Sequence, residues 1–123
     1  MAKRRMFSND ITSSDAFQNM PLSAQALYFH LGMSADDDGV VNNPKSIQRC
    51  LGASPDDLRI LVARRFIIPI AESEIVIIKH WKINNLIQKD RYTPSKYQRE
   101  LAMLELDENK AYKEVGVTLV DTL

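Results

Sequence analysis

Apolar residues recur at the helical spacing i, i+3, i+4 and i+7 at Ala24, Leu27, Tyr28 and Leu31, which predicts a first main helix with Ser23 placed to cap it. A shorter helical turn is expected around Asp15 to Asn19, between the cap residue Ser14 and Pro21. Asp36-Asp37-Asp38-Gly39 then reads as a turn, and Val40-Val41 as a short strand. Two helix starts follow in quick succession. Pro44 suits a first turn, with Ile47, Cys50 and Leu51 as the buried stripe and Gly52 as the stop. Ser54, Pro55, Asp56 and Asp57 then supply a cap, a first-position proline and an acidic first turn for a helix whose inner face is Leu58, Leu61 and Val62.

Two β-branched runs, Phe66 to Ile70 and Ile75 to Ile78, flank Ala71-Glu72-Ser73-Glu74 and predict a hairpin with a four-residue loop. Pro69 cannot donate a ladder hydrogen bond, so its strand is expected at a sheet edge. From Trp81 the pattern weakens, until Tyr97, Leu101 and Leu104 suggest a last helix after Pro94; residues 107 to 123 show no clear period. Helix, strand, helix, helix, hairpin is the order of a winged helix. The expected fold is therefore α+β, a winged helix with an extra C-terminal helix, over residues 1–106. Residues 107–123 are expected to form an acidic tail or the start of a linker.

Composition narrows the function classes. With 123 residues, 45% apolar and 26% charged, the chain suits one ordinary folded core. The basic start runs into polar residues without a secretory apolar stretch, and Cys50 is the single cysteine, so a reducing, cytoplasmic setting is expected. No apolar run approaches the roughly 20 residues needed to cross a bilayer as a helix. The four glycines, Gly32, Gly39, Gly52 and Gly116, form neither a P-loop nor a dinucleotide fingerprint. His30, His80 and Cys50 lack metal-ligand spacing, and His30 is expected to be a satisfied structural residue of its helix. A calcium loop centred on Gly39 would need carboxylates at Ser34 and Lys45. Neither an enzyme nor a cofactor or metal site is expected.

Net charge is zero but unevenly spread. The first 99 residues hold 14 basic against 10 acidic groups, and the last 24 hold two against six. Screening confines electrostatic contacts to about 8–10 Å, so a locally basic body can bind a polyanion despite the neutral total.

Several segments together resemble the N-terminal domain of replisome organizers from phages and prophages of Gram-positive bacteria. They are Arg4-Arg5-Met6-Phe7-Ser8, Met20 through Met33, Ala35-Asp36-Asp37-Asp38-Gly39, Phe66-Ile67 and Lys89-Asp90-Arg91-Tyr92, and the resemblance covers roughly residues 4–105. It implies a winged-helix domain that binds origin DNA or serves as an assembly surface. In full-length relatives, further sequence helps recruit the host helicase machinery.

The residues themselves name a candidate interface. Arg59, Ile60 and Ala63 are expected on the outer face of the second helix of the pair, where Arg59 can offer guanine two hydrogen bonds and Ile60 or Ala63 can meet a thymine methyl. Lys45 and Arg49 lie opposite the apolar stripe of the preceding helix and can hold phosphates. Lys79, Lys82, Lys89, Arg91 and Lys96, interleaved with His80, Trp81, Tyr92 and Tyr97, suit phosphate pairing and, secondarily, stacking on single-stranded DNA. Trp81 is better read as a core residue. Lys3, Arg4 and Arg5 read equally as a groove-reaching arm or a disordered basic terminus. Glu72 and Glu74 at the wing tip, with Asp56 and Asp57, would repel phosphate and keep a protein-contact role open. The order of expectation is a replication DNA-binding module, then an oligomerisation module of the same assembly, then a winged-helix transcriptional regulator. Oligomeric state and target sequence stay open.

Overall fold

The computed structural model describes residues 4–71 and 73–114. Two one-turn helices come first, α1 (Asn9–Thr12) and α2 (Asp15–Gln18). Each has a serine cap: Ser8 Oγ accepts from the Asp10 N–H and Ser14 Oγ from the Phe17 N–H, both at 3.2 Å. α3 (Leu22–Ser34) starts one residue before Ser23, so that serine does not cap it. Its hydroxyl instead donates to Asp57 Oδ1 at 2.8 Å, across to a later helix. Ala24, Leu27, Tyr28 and Leu31 are all fully buried, as the spacing requires. His30, expected as a satisfied structural residue of its helix, is exposed on α3.

β1 (Val40–Val41) leads to α4 (Pro44–Leu51), and Gly52 ends α4 in the left-handed conformation at φ 82°. α5 (Pro55–Ala63) follows, with the Asp57 carboxylate accepting from the Ser54 N–H at 2.9 Å, the reciprocal arm of a capping box. The stripe of α4 differs from the expected one. Cys50 is exposed, and Pro44 and Gln48 are buried beside the half-buried Ile47 and Leu51. The reason is local, since the Gln48 amide donates to the Ala53 carbonyl and closes the turn between the helices.

β2 (Ile67–Pro69) and β3 (Val76–Ile78) form the hairpin, with Ile68 opposite Ile77 and Pro69 opposite Val76. β1 pairs antiparallel with the far side of β3, which gives the order β1-β3-β2 and places Pro69 on an edge strand. Helices α3, α4 and α5 pack on one another, and α3 and α5 pack on this sheet. Phe17, Leu27, Leu31, Leu61, Ile67, Ile77, Ile78 and Trp81 form the centre of one continuous core. Each such side chain contributes about 1.5–3 kcal/mol of transfer free energy.

The C-terminal part departs further from expectation. α6 (Trp81–Asn84) is a single turn, and the helix after Pro94 is also one turn, α7 (Gln98–Leu101). Leu104 lies in β4 (Leu104–Leu106), which pairs with β5 (Tyr112–Glu114). The expected boundary at residue 106 thus falls inside a hairpin whose Tyr112 is buried in the core. The fold is mixed helix and sheet, with a three-stranded and a two-stranded antiparallel sheet among the described residues. No helix among them is long and apolar enough to cross a membrane.

The Asp36-Asp37-Asp38-Gly39 segment is the expected turn, closed by the Gly39 N–H on the Asp36 carbonyl at 3.0 Å, but its centre is not solvated. Asp37 and Asp38 are buried, and partners reach them from four distant segments. Arg5 pairs with Asp37 at 3.1 Å, donates to the Ala35 carbonyl at 2.7 Å, and lies over the Trp81 ring at 5.2 Å. Lys82 meets Asp38 at 3.2 Å, the Tyr92 hydroxyl donates to the same carboxylate at 2.7 Å, and the Ser95 N–H does so at 2.8 Å. The Thr93 N–H donates to Asp37, and the Trp81 indole and Tyr112 hydroxyl donate to the Asp37 and Asp38 carbonyls. This latch fastens the start of the chain and residues 92–95 to the edge of the main sheet.

Candidate nucleic-acid interface

Because Pro44 and Gln48 turn inward, α4 presents Lys45, Ser46 and Arg49 to solvent. Burial of Asp57 and Leu61 on α5 likewise leaves Arg59 and Ala63 outside. Ile60, expected on that outer face, is half-buried and packs against the core. The helix is only nine residues long and is contacted by both α3 and α4, so its apolar arc is wider than Leu58, Leu61 and Val62.

These cations converge beside the hairpin. Lys45, Arg59 and Ala63 line a groove of about 380 Å³ between α5 and the hairpin, with Glu74 on the hairpin side. Lys45, Arg49 and Glu74 also line an adjoining cleft that reaches Asn42 and Asn43. Lys96 belongs to the same side: its ammonium sits 5.3 Å from the Tyr97 ring, and the Tyr97 hydroxyl accepts from the Asn42 amide at 3.1 Å. Arg59 forms an exposed ion pair with Asp56, three residues back. An exposed pair of this kind is screened and contributes little, so the guanidinium is available to another partner. Glu72 and Lys3 lie outside the described residues.

The other expected contacts are not part of that convergence. Lys79 is half-buried at the end of β3 and, with Arg65, Tyr112 and Lys113, lines an adjoining cleft of about 550 Å³ that shares Val62, Ala63, Ile67 and Pro69 with the groove but holds neither Lys45 nor Arg59. Burial, and then the Lys79 charge, hold the His80 imidazole below its ordinary pKa, so its neutral form is favoured. Lys82 is committed to Asp38 and leans on the Tyr92 ring at 5.7 Å. Tyr92 itself is pushed up to about 12 by burial and by the Asp38 carboxylate it bonds. Lys89 and Arg91 are exposed on the loop that precedes the latched residues. Arg5 is neither arm nor disordered terminus, since its side chain is only 2% exposed; Arg4 is exposed. Trp81 is 1% exposed and unavailable for stacking on bases.

Two basic residues escaped the sequence reading. Arg64 and Arg65 are exposed directly after α5, Arg65 with a φ of 63°. The adjacent Phe66, which must turn inward to start β2, was the available signal that both point outward. No family model, curated protein or solved structure matches the chain.

Proposed function

We propose that this chain is a winged-helix domain of the replisome-organizer type, which binds duplex DNA of a replication origin through the outer side of α4 and α5. Its role is binding, without catalysis, cofactor or metal, in a bacterial cytoplasm. Recruitment of helicase-loading proteins belongs to sequence outside this domain. The observation that carries the reading is the convergence of exposed Lys45, Arg49 and Arg59 beside a hairpin. The strand order β1-β3-β2, entered from a helix pair, supports the winged-helix assignment, because that connectivity places a helix and a hairpin on one side of the domain.

The chemistry follows from the parts. Lys45 and Arg49 supply point charges to successive phosphates while α5 lies against the groove floor. Arg59 then exchanges its exposed partner Asp56 for the N7 and O6 of a guanine. Lys96 extends the positive side past Asn42. Lys89 and Arg91, on their loop, are further backbone contacts and the place where single-stranded DNA would be met. Amide chemical-shift mapping with a short duplex tests the assignment. Perturbations are expected on residues 43–49 and 55–63; perturbations confined to the 79–91 segment, or none, would overturn it.

A further inference from the structure

We infer that the cleft between β2 and β5 is a binding site for a nucleoside 5′-phosphate. Three cations from three parts of the fold line it: Arg65 from the turn after α5, Lys79 from the end of β3 and Lys113 from β5. Among the described residues, Glu114 is the one carboxylate on that lining. Its volume of about 550 Å³ falls in the range of about 300–1,000 Å³ usual for small-molecule sites.

Arg65 stands where the backbone asks for glycine. Its N–H donates to the Val62 carbonyl at 3.1 Å and the next N–H, of Phe66, to the Leu61 carbonyl at 2.9 Å. The turn after α4 has the same pattern, with the Gly52 N–H on Arg49 and the Ala53 N–H on Gln48. Both central residues are left-handed, at φ 82° for Gly52 and 63° for Arg65. Glycine suits that conformation and an arginine Cβ opposes it, so the side chain, which lines the cleft, is the feature that sets Arg65 apart. Lys79 is fixed from both sides: its N–H donates to the Phe66 carbonyl and its carbonyl accepts from the Tyr112 N–H at 2.9 Å. This residue therefore joins β2, β3 and β5 at the cleft. Among the described residues neither Arg65 nor Lys79 forms an ion pair. Asp107 lies within range of the Lys79 charge, but its carboxylate accepts from the Asn109 and Ala111 N–H groups and does not line the cleft. Lys113 pairs with Glu105 at 3.4 Å, both half exposed, and such a screened contact gives way to a stronger one.

The lining names the ligand class. A phosphate monoester is a compact anion with three acceptor oxygens, which suits a guanidinium and two ammonium groups. Val62, Ile67 and Pro69 offer a base an apolar wall, and the exposed Glu114 carboxylate accepts from sugar hydroxyls while keeping the phosphate toward the cations. A duplex keeps its bases stacked inside and cannot lay one on that wall. A free nucleotide, or the 5′-phosphorylated end of a single strand, can. The cleft holds neither Lys45 nor Arg59, so the inference does not rest on the DNA proposal.

Amide chemical-shift titration with adenosine 5′-monophosphate provides the test. Saturable perturbations are expected on residues 62–69, 79 and 112–114, with adenosine and inorganic phosphate each at least about tenfold weaker. Arg65→Gly relieves the left-handed backbone while deleting the guanidinium, so it is expected to bind at least about tenfold more weakly with an unfolding midpoint no lower than wild type. Lys79→Met keeps the aliphatic stem without the charge and is expected to weaken binding as much. Arg59→Ala is expected to bind as wild type, which separates this site from the α4–α5 face. Oligonucleotides with and without a 5′-phosphate distinguish the sources: a strand end is the ligand if the phosphorylated one matches the mononucleotide, and a free nucleotide if it does not. No saturable binding, adenosine or inorganic phosphate binding as tightly as the nucleotide, or both cleft variants binding as wild type would overturn the inference.

Discussion

Replacing Asp38 by alanine tests the latch at its centre. The change removes the acceptor of the Lys82 ammonium at 3.2 Å, of the Tyr92 hydroxyl at 2.7 Å and of the Ser95 N–H at 2.8 Å. Breaking a buried ion pair by deleting one partner costs about 3–5 kcal/mol. Lys82 and Tyr92 keep partial access to solvent and recover some hydration, whereas Ser95 is buried and its N–H is stranded at about 1–3 kcal/mol. The expected loss is therefore about 2–4 kcal/mol. With a urea m-value of about 1.5 kcal/mol/M, the midpoint falls by about 1.3–2.7 M. Asp38→Asn preserves the volume and one acceptor, so it should lose roughly half as much. Urea unfolding followed by the fluorescence of Trp81, the single tryptophan, reads the change directly, because its indole donates to the neighbouring Asp37 carbonyl. A midpoint shift below about 0.5 M for Asp38→Ala would show that the latch stabilises little and refute the reasoning.

Gly39→Ala should be at least as damaging, since the new Cβ would meet Trp81 Cγ at 2.6 Å and the backbone there has φ +88°; an unfolding midpoint equal to wild type would contradict the packing described. Burial raises the Tyr28 hydroxyl from 10 to about 12, so its contribution is complete below pH 10 and lost as pH climbs toward 12. Tyr28→Phe should lose stability at neutral pH by stranding the Asn84 amide, yet decline less steeply above pH 10; identical alkaline slopes would sink that assignment.

Much of the fold is legible because its signals are local. The α3 stripe, the Gly52 stop, the Ser54–Asp57 cap and the edge proline each depend on residues within one turn or one strand. The latch is not local. Asp37 and Asp38 look like a solvated turn until Arg5, Lys82 and Tyr92 neutralise or bond them, and these partners lie 32, 44 and 54 positions away in the chain. The pairing of Lys82 with Asp38 is hidden for the same reason: a basic run does not say which of its members an internal carboxylate will claim. The α4 stripe shifted because Gln48 closes the turn to Ala53, and a polar residue on an inner face carries no hydrophobic signal. The α7 turn and the β4–β5 hairpin are too short to display a period.

Salt-titrated binding to duplex DNA, comparing wild type with the Lys45→Ala/Arg49→Ala/Arg59→Ala variant, tests the proposed function most directly. Each phosphate contact contributes about 0.9 to the slope of log affinity against log salt, so Lys45 and Arg49 together should flatten it by about 1.8. Loss of the Arg59 base contact should lower affinity for preferred sequences further, by about 1–3 kcal/mol. A wild type that binds no duplex at low salt, or a folded variant with an unchanged slope and affinity, would contradict a DNA-binding role for the α4–α5 face.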